Sequence, residues 1–191
     1  MANKAYKFRI YPNREQKTLF AKTFGCVRFI YNKMLDDKIK YYEKNEKETE
    51  QYPGAVQKRF PWLKEVDSLA LANAQMNLQK AYNNFFRDPK VGFPKFKSRH
   101  KTRASYTTNN QKGTVALENG HLKLPKAGYV KVKQHRAIPE DYRIKSVTIS
   151  QKSGRGLLCK RSVRVRKPST KTAHASISWF GFFHAGTVQG Q

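Results

Sequence analysis

Acidic residues are scarce in this chain: 13 Asp and Glu stand against 39 Lys and Arg in 191 residues, a formal charge of +26. A folded protein this basic repels itself unless a polyanion neutralises it, and nucleic acid is the usual one. The last acid is Asp141, so no carboxylate chemistry can come from the residues after it. Cysteine is nearly absent too. Cys26 and Cys159 are too few and too far apart for a zinc ribbon or a disulfide framework, which makes a reducing setting, cytoplasm or nucleoid, the expected one. No apolar run approaches the length of a membrane span, and no basic amphipathic anchor stands out. The opening MANKAYKFRIYP lacks the apolar segment of a secretion signal. The expected partner is nucleic acid, with no membrane. Aromatic residues are plentiful at 13%, which argues for a packed core and against a disordered basic tail protein.

The stretch from Val91 to Asn110 concentrates the positive charge. Lys95, Lys97, Arg99, Lys101 and Arg103 recur at every second place, with Phe93, Phe96 and Tyr106 among them. Gly92 and Pro94 exclude a regular helix there. An extended backbone would lay these cations in a row along a phosphate backbone. The aromatic rings could stack on bases or fill a core. A solvated basic loop between two domains is the blander alternative.

Around that stretch the periodicity changes. Ala5 to Tyr11 alternates, Tyr6, Phe8 and Ile10 on one face and Lys7, Arg9 and Tyr11 on the other, which predicts a half-buried strand with a basic outer face. Asn13 and Gln16 form a capping-box pattern, so a helix should begin at Arg14 and reach about Tyr42. Its apolar stripe is Phe20, Phe24, Val27, Tyr31 and Leu35, and Gly25 lies inside it. Arg28, Asn32 and Lys33 could face a nucleic acid or simply solvent. Glu43, Glu46, Glu48 and Glu50 are too dispersed for metal ligands. Phe60, Trp62 and Leu63 should pin the next helix to the first. That second long helix begins at Asp67 or Ser68, with Leu71, Leu78, Tyr82 and Phe85 as its stripe and a crowd of amides, Asn73 to Asn84, elsewhere. Beyond Asn110 the period becomes two. Val115 and Leu117, then Leu122 and Leu124, flank the hairpin signal Asn119-Gly120, Val130 and Val132 alternate with Lys131 and Lys133, and Val147 and Ile149 mark a further strand. A small barrel or curled sheet, interrupted by the helices, would join these strands to the first one.

KAYKFRIYPNREQ, GCVRFIYNKML, FPWLKEVDSLALANAQMNLQKAYNNFF, VGFPKFKSR, SYTTNNQ and LKLPKAGYVKVKQHR, in that order, resemble the N-terminal half of the TnpB/OrfB proteins of insertion sequences, from about Met1 to Gly154. The resemblance implies an α+β fold: a small wedge-type β-barrel over residues 1–12 and 104–153, interrupted by a helical recognition insertion and basic linker over 13–103. It implies a transposase-related, RNA-guided DNA endonuclease in which base pairing with a guide RNA reads the target DNA and the protein reads a short flanking motif. Carried onto this chain, Ser68, Ala72, Thr108 and Asn109 match positions that touch the flanking motif. Ser68 and Ala72 are shorter than the polar side chains expected there. Arg9, Arg28, Lys95, Lys97, Arg99, Lys101, Arg103, Lys131 and Lys133 are the candidate backbone contacts. The family's divalent metal ions and zinc are expected only in its nuclease half, so no cofactor is expected in this chain and no cutting by it.

After Gly154 the pattern is expected to fail. Residues 154–191 show no clean alternation or helical stripe, and suitable codons read one base later restore family-like strand and nuclease motifs. The segment is therefore expected to be a disordered, out-of-frame tail in a truncated protein, with no role for Cys159, His174 or His184. A free-standing regulator using residues 13–35 as a helix-turn-helix is the alternative, with Gly25 at its turn. A basic module of ribosomal type is the third reading.

Overall fold

The capping box at Asn13 forms as expected. In the computed structural model, which describes residues 3–44, 53–139, 142–151 and 159–166, the Gln16 backbone N–H donates to Asn13 Oδ1 at 2.7 Å and the Asn13 N–H to Gln16 Oε1 at 3.1 Å. Two donors that the first helical turn would leave unpaired are thereby satisfied. The helix α1 then runs Arg14–Lys44, and Phe20, Phe24, Val27, Tyr31 and Leu35 are all buried. Gly25 does not interrupt it. The helix-turn-helix considered for residues 13–35 is thus a single continuous helix, because apolar burial on both sides of Gly25 outweighs its cost of about 1 kcal/mol in propensity.

The helix α2 spans Pro53–Arg59 and a 3-10 turn comes next at Pro61–Glu65. Phe29 of α1 meets the rings of Phe60 and Trp62, each at 5.0 Å between centroids, and Leu63 is fully buried. That is the expected pin between the two helical stretches. Asp67 caps the helix α3, Ser68–Arg87, accepting the Leu69 N–H at 3.0 Å. Its apolar stripe packs against α1. Glu46, Glu48 and Glu50 lie outside the described residues.

The strands are β1 (Asn3–Tyr6), β2 (Arg9–Tyr11), β3 (Ser105–Asn109), β4 (Ala116–Glu118), β5 (His121–Leu124), β6 (Gly128–Lys133), β7 (Arg143–Gln151) and β8 (Cys159–Arg166). They form one antiparallel sheet in the order β3-β7-β8-β2-β6-β5-β4, with β1 also paired to β8. The single strand expected from Ala5 to Tyr11 is broken at Lys7 and Phe8 into β1 and β2. Asn119 and Gly120, at φ 47° and 72°, make the two-residue turn between β4 and β5. Helices and sheet share one core: Phe20 and Phe24 of α1 pack on Tyr106 of β3, at 6.3 and 5.7 Å between ring centroids.

Two expectations are corrected here. The sheet is open among the described residues: no ladder joins β3 to β4, so the barrel does not close. Instead α3 packs beside β3, where Asn73 Nδ2 donates to the Thr107 carbonyl at 3.0 Å. The segment after Gly154 also contains a strand, in the interior of the sheet. Cys159 opposite Gln151 and Arg166 opposite Arg143 mark the ends of the register between β8 and β7, and β1 and β2 pair on the other side. Ladder bonds come from the backbone, and Val163 and Val165 already alternate with Ser162, Arg164 and Arg166. The basic residues in between hid that alternation from the sequence reading. Residues 167–191, with His174 and His184, lie outside the described residues.

Tyr82 of α3 is 2% exposed and its hydroxyl is buried with no hydrogen-bond partner. Burial pushes the phenol up to about 12. Between the ordinary phenol value near pH 10 and about 12, the unfolded chain loses this proton and the folded chain keeps it, so stability falls as pH rises through that window. Tyr82→Phe should leave the melting temperature at pH 7 unchanged or higher. It should also lose less stability than the parent between pH 10 and 12 in urea unfolding.

Candidate nucleic-acid interface

The basic stretch after α3 begins extended and then folds back. Asn32 on α1 holds it with both ends of its amide: Nδ2 donates to the Lys97 carbonyl at 2.9 Å, and Oδ1 accepts the Lys97 N–H at 2.8 Å. Lys97 itself turns inward, its Nζ 3.8 Å from the centre of the Tyr31 ring, and burial lowers its pKa. The chain then turns over residues 98–102. Ser98 Oγ accepts the Lys101 N–H at 3.0 Å, and the Ser98 N–H donates to Thr102 Oγ1 at 3.2 Å. The five cations consequently do not stand in one row.

The turn gathers three of them around a cleft of about 970 Å³, where Arg99, Lys101 and Arg103 meet Arg28 of α1, Lys7 from the break between β1 and β2, and His100. No acid lines it. Arg103 is steadied by β7, donating from Nη2 to Ser150 Oγ at 2.9 Å. Lys7 was expected beside Arg9 on the strand; the break in that strand brings it to the cleft, a change that alternation alone does not show. His100 carried no signal beyond its place in the basic stretch.

A second basic surface lies on the outer face of the sheet. Arg9 stands opposite Lys133 and Tyr11 opposite Lys131 across β2 and β6, and His121 stands opposite Lys131 across β5 and β6. All five side chains are exposed, while Ile10, Leu122, Val130 and Val132 of the same strands are buried. Like charges directly opposite each other in a ladder destabilise it.

The remaining candidates are placed elsewhere. Lys95 is exposed on the extended part of the segment. Ser68 is exposed at the start of α3, over a hollow of about 340 Å³ shared with Lys64 and Lys126, and Ala72 is half-buried one turn later. Thr108 is 0% exposed, so its side chain belongs to the core, because β3 alternates Tyr106 and Thr108 inward. Asn109, half-buried, is on the opposite face of that strand. Of the helix amides, Asn73 is engaged by the Leu69 and Thr107 carbonyls and Gln79 bonds Asn83. Lys33 pairs with Asp37. Among the described residues no three His, Cys, Asp or Glu come together as a metal site, and no helix is long and apolar enough to cross a membrane.

Residues 1–47 match the OrfB/IS605 family model described as a helix-turn-helix domain. The chain is 34% identical over 184 residues to a candidate RNA-guided DNA endonuclease of Streptomyces pristinaespiralis, a match covering 89% of this chain and 44% of that protein. It is 27% identical to InsQ of Escherichia coli K12, likewise named as a candidate RNA-guided DNA endonuclease, over 93% of this chain and 44% of InsQ. The chain belongs to the TnpB/OrfB insertion-sequence family. Virulence protein VsdF of Salmonella dublin is similar to part of this TnpB/OrfB chain, 35% identical over 112 residues that make up 94% of VsdF. The chain spans less than half the length of the first two relatives. At 89% and 93% of this chain those matches run past Gly154 wherever they start, so part of the segment after it aligns with the TnpB/OrfB family. The family model's helix-turn-helix label covers β1, β2 and the unbroken α1.

Asn32 positions the basic turn without offering its own amide to a ligand. Asn32→Ala should cost about 1–3 kcal/mol in urea unfolding, since it strands the half-buried Lys97 N–H and carbonyl. It should also make residues 93–98 the first site of limited proteolysis.

Proposed function

We propose that this TnpB/OrfB chain is the nucleic-acid-holding part of a transposon-encoded, RNA-guided DNA endonuclease. Its cationic cleft and basic strand face grip the backbones of guide RNA and target DNA, and the chain alone does not cut. The observation that carries this reading is the cleft of Lys7, Arg28, Arg99, Lys101 and Arg103. Five cations around one concave surface with no carboxylate among its described lining residues raise the energy of the free protein, and a phosphate backbone relieves it while releasing condensed counterions. The opposed Arg9 and Lys133 repeat the same arrangement on the sheet. The names of the relatives support the nuclease context. That this chain does not cut by itself is supported by the sequence, in which no acid follows Asp141.

The competing reading, a helix-turn-helix regulator, loses its turn to the continuous α1. Sequence-specific protection of a short duplex without RNA would restore it.

Binding to a 20-base-pair duplex and to an RNA hairpin, measured by fluorescence anisotropy across a salt series, tests the proposal. Affinity should fall linearly in log–log form. The triple substitution Arg28→Gln, Arg99→Gln and Lys101→Gln should flatten the duplex slope by roughly 0.9 for each cation that contacts phosphate. Lys17→Gln, on the exposed start of α1, should not. An unchanged slope in the triple variant, or DNA cutting by the chain with RNA and magnesium, overturns the reading.

A further inference from the structure

The cleft accounts for the cations of the basic stretch but not for its rings. Phe86 at the end of α3 is 68% exposed and Phe96 in the extended segment is 55% exposed, with Phe93 at 43% between them in sequence. These values are high for a residue whose burial ordinarily contributes to folding. Phe86 and Phe93 are also held in place. Tyr82, buried in α3, stacks under Phe86 with centroids 6.3 Å apart and planes 21° apart, and Phe93 stands edge-on to both Tyr82 and Phe85 at 5.5 Å. Phe86 is further braced by Phe85 at 5.5 Å. Phe86 and Phe93 thus form a preorganised aromatic ledge that stays partly exposed, and Phe96 lies exposed three residues further along the chain.

Cations flank the ledge: Arg87, Lys90 and Lys95 are all exposed. The one acid in the same stretch, Asp88, has a local task, accepting the Lys90 N–H at 3.1 Å to cap the short 3-10 turn Pro89–Val91. Residues 94–98 then lead without helix or strand straight to the turn that forms the cleft, held to α1 by Asn32. Rings alternating with cations, continuous with a cationic cleft, match a strand whose bases are unpaired: phosphates meet the cations and free base faces meet the rings. A duplex cannot use the rings, because its bases are stacked on one another. A protein partner would meet a patch ringed by uncompensated positive charge.

From this arrangement, and resting on the nucleic-acid reading above, we infer that Phe86, Phe93 and Phe96 form a stacking ledge for unpaired nucleotides leaving the cleft. The ledge selects single-stranded over double-stranded segments and does so without reading their sequence.

The test compares a 20-nucleotide oligothymidylate with a 20-base-pair duplex, using the full chain. Phe86 and Phe96 are the most exposed rings, so the double substitution Phe86→Leu and Phe96→Leu keeps apolar bulk and removes the π-faces. It should weaken oligothymidylate binding by about 10- to 100-fold, with duplex affinity and both salt slopes unchanged. Phe86→Tyr with Phe96→Tyr should restore binding. Equal loss for both ligands, no loss for either, or a shift in oligomeric state by size-exclusion chromatography in the leucine variant overturns the ledge; the last result would assign the face to protein contact. If the parent protein binds neither ligand in a salt-dependent way, the underlying nucleic-acid reading fails instead.

Discussion

The packing of α1 across the middle of the molecule is the constraint on which the rest depends. At its start, Gln16 completes the capping box and also donates its side-chain amide to the Ala127 and Tyr129 carbonyls at the entry to β6. One turn further, Phe20 and Phe24 lie against Tyr106 of β3, which ties the helix to the far edge of the sheet. Farther along, Asn32 clamps the basic segment by imitating a peptide group. A single helix thus ties the edge strand β3 to the entry of the interior strand β6 and fixes the place of the cationic turn. Its rigidity explains why Gly25 survives mid-helix: the flanking residues Phe24, Cys26 and Val27 are all buried and hold the backbone.

The distribution of charge depends on that frame. Thirty-nine Lys and Arg cannot be balanced by ion pairs when only 13 acids exist, and three of those acids are used locally, Asp36 and Asp37 by lysines on the same helix and Glu65 by Lys22. The exposed pairs among them, Lys22–Glu65 and Lys40–Asp36, contribute little to stability. The remaining charge is concentrated in the cleft, where no described lining residue is acidic, and on the outer face of β2 and β6. Lys97 is the exception that clarifies the rule. It is drawn onto the Tyr31 ring, where the cation–π attraction offsets part of its desolvation, and so acts as a strut beneath the turn.

Local chemistry made much of the fold legible in advance. The capping box, the Asn119-Gly120 hairpin and the helical stripe from Phe20 to Leu35 each depend on neighbours within a turn or two, and each appears as read. The strand in Cys159–Arg166 was not legible, since its pairing is supplied by β7, β1 and β2 from elsewhere in the chain and half of its own residues are basic. Thr108 was misplaced for a related reason: a polar residue in an alternating strand takes whichever face the register gives it, and here that face is the core.

By itself, the sequence determined the charge, the element boundaries near strong local signals and the family resemblance, because these depend on composition and on residues close in the chain. Tertiary structure alone decided which cations share a surface. Lys7 and Arg103 are far apart in sequence and line one cleft, while Lys95 and Lys97 are two residues apart and point to different environments. The physical reason is that a turn held by Ser98 and Thr102, and a clamp supplied by Asn32 from another helix, override the alternation an isolated extended strand would have kept.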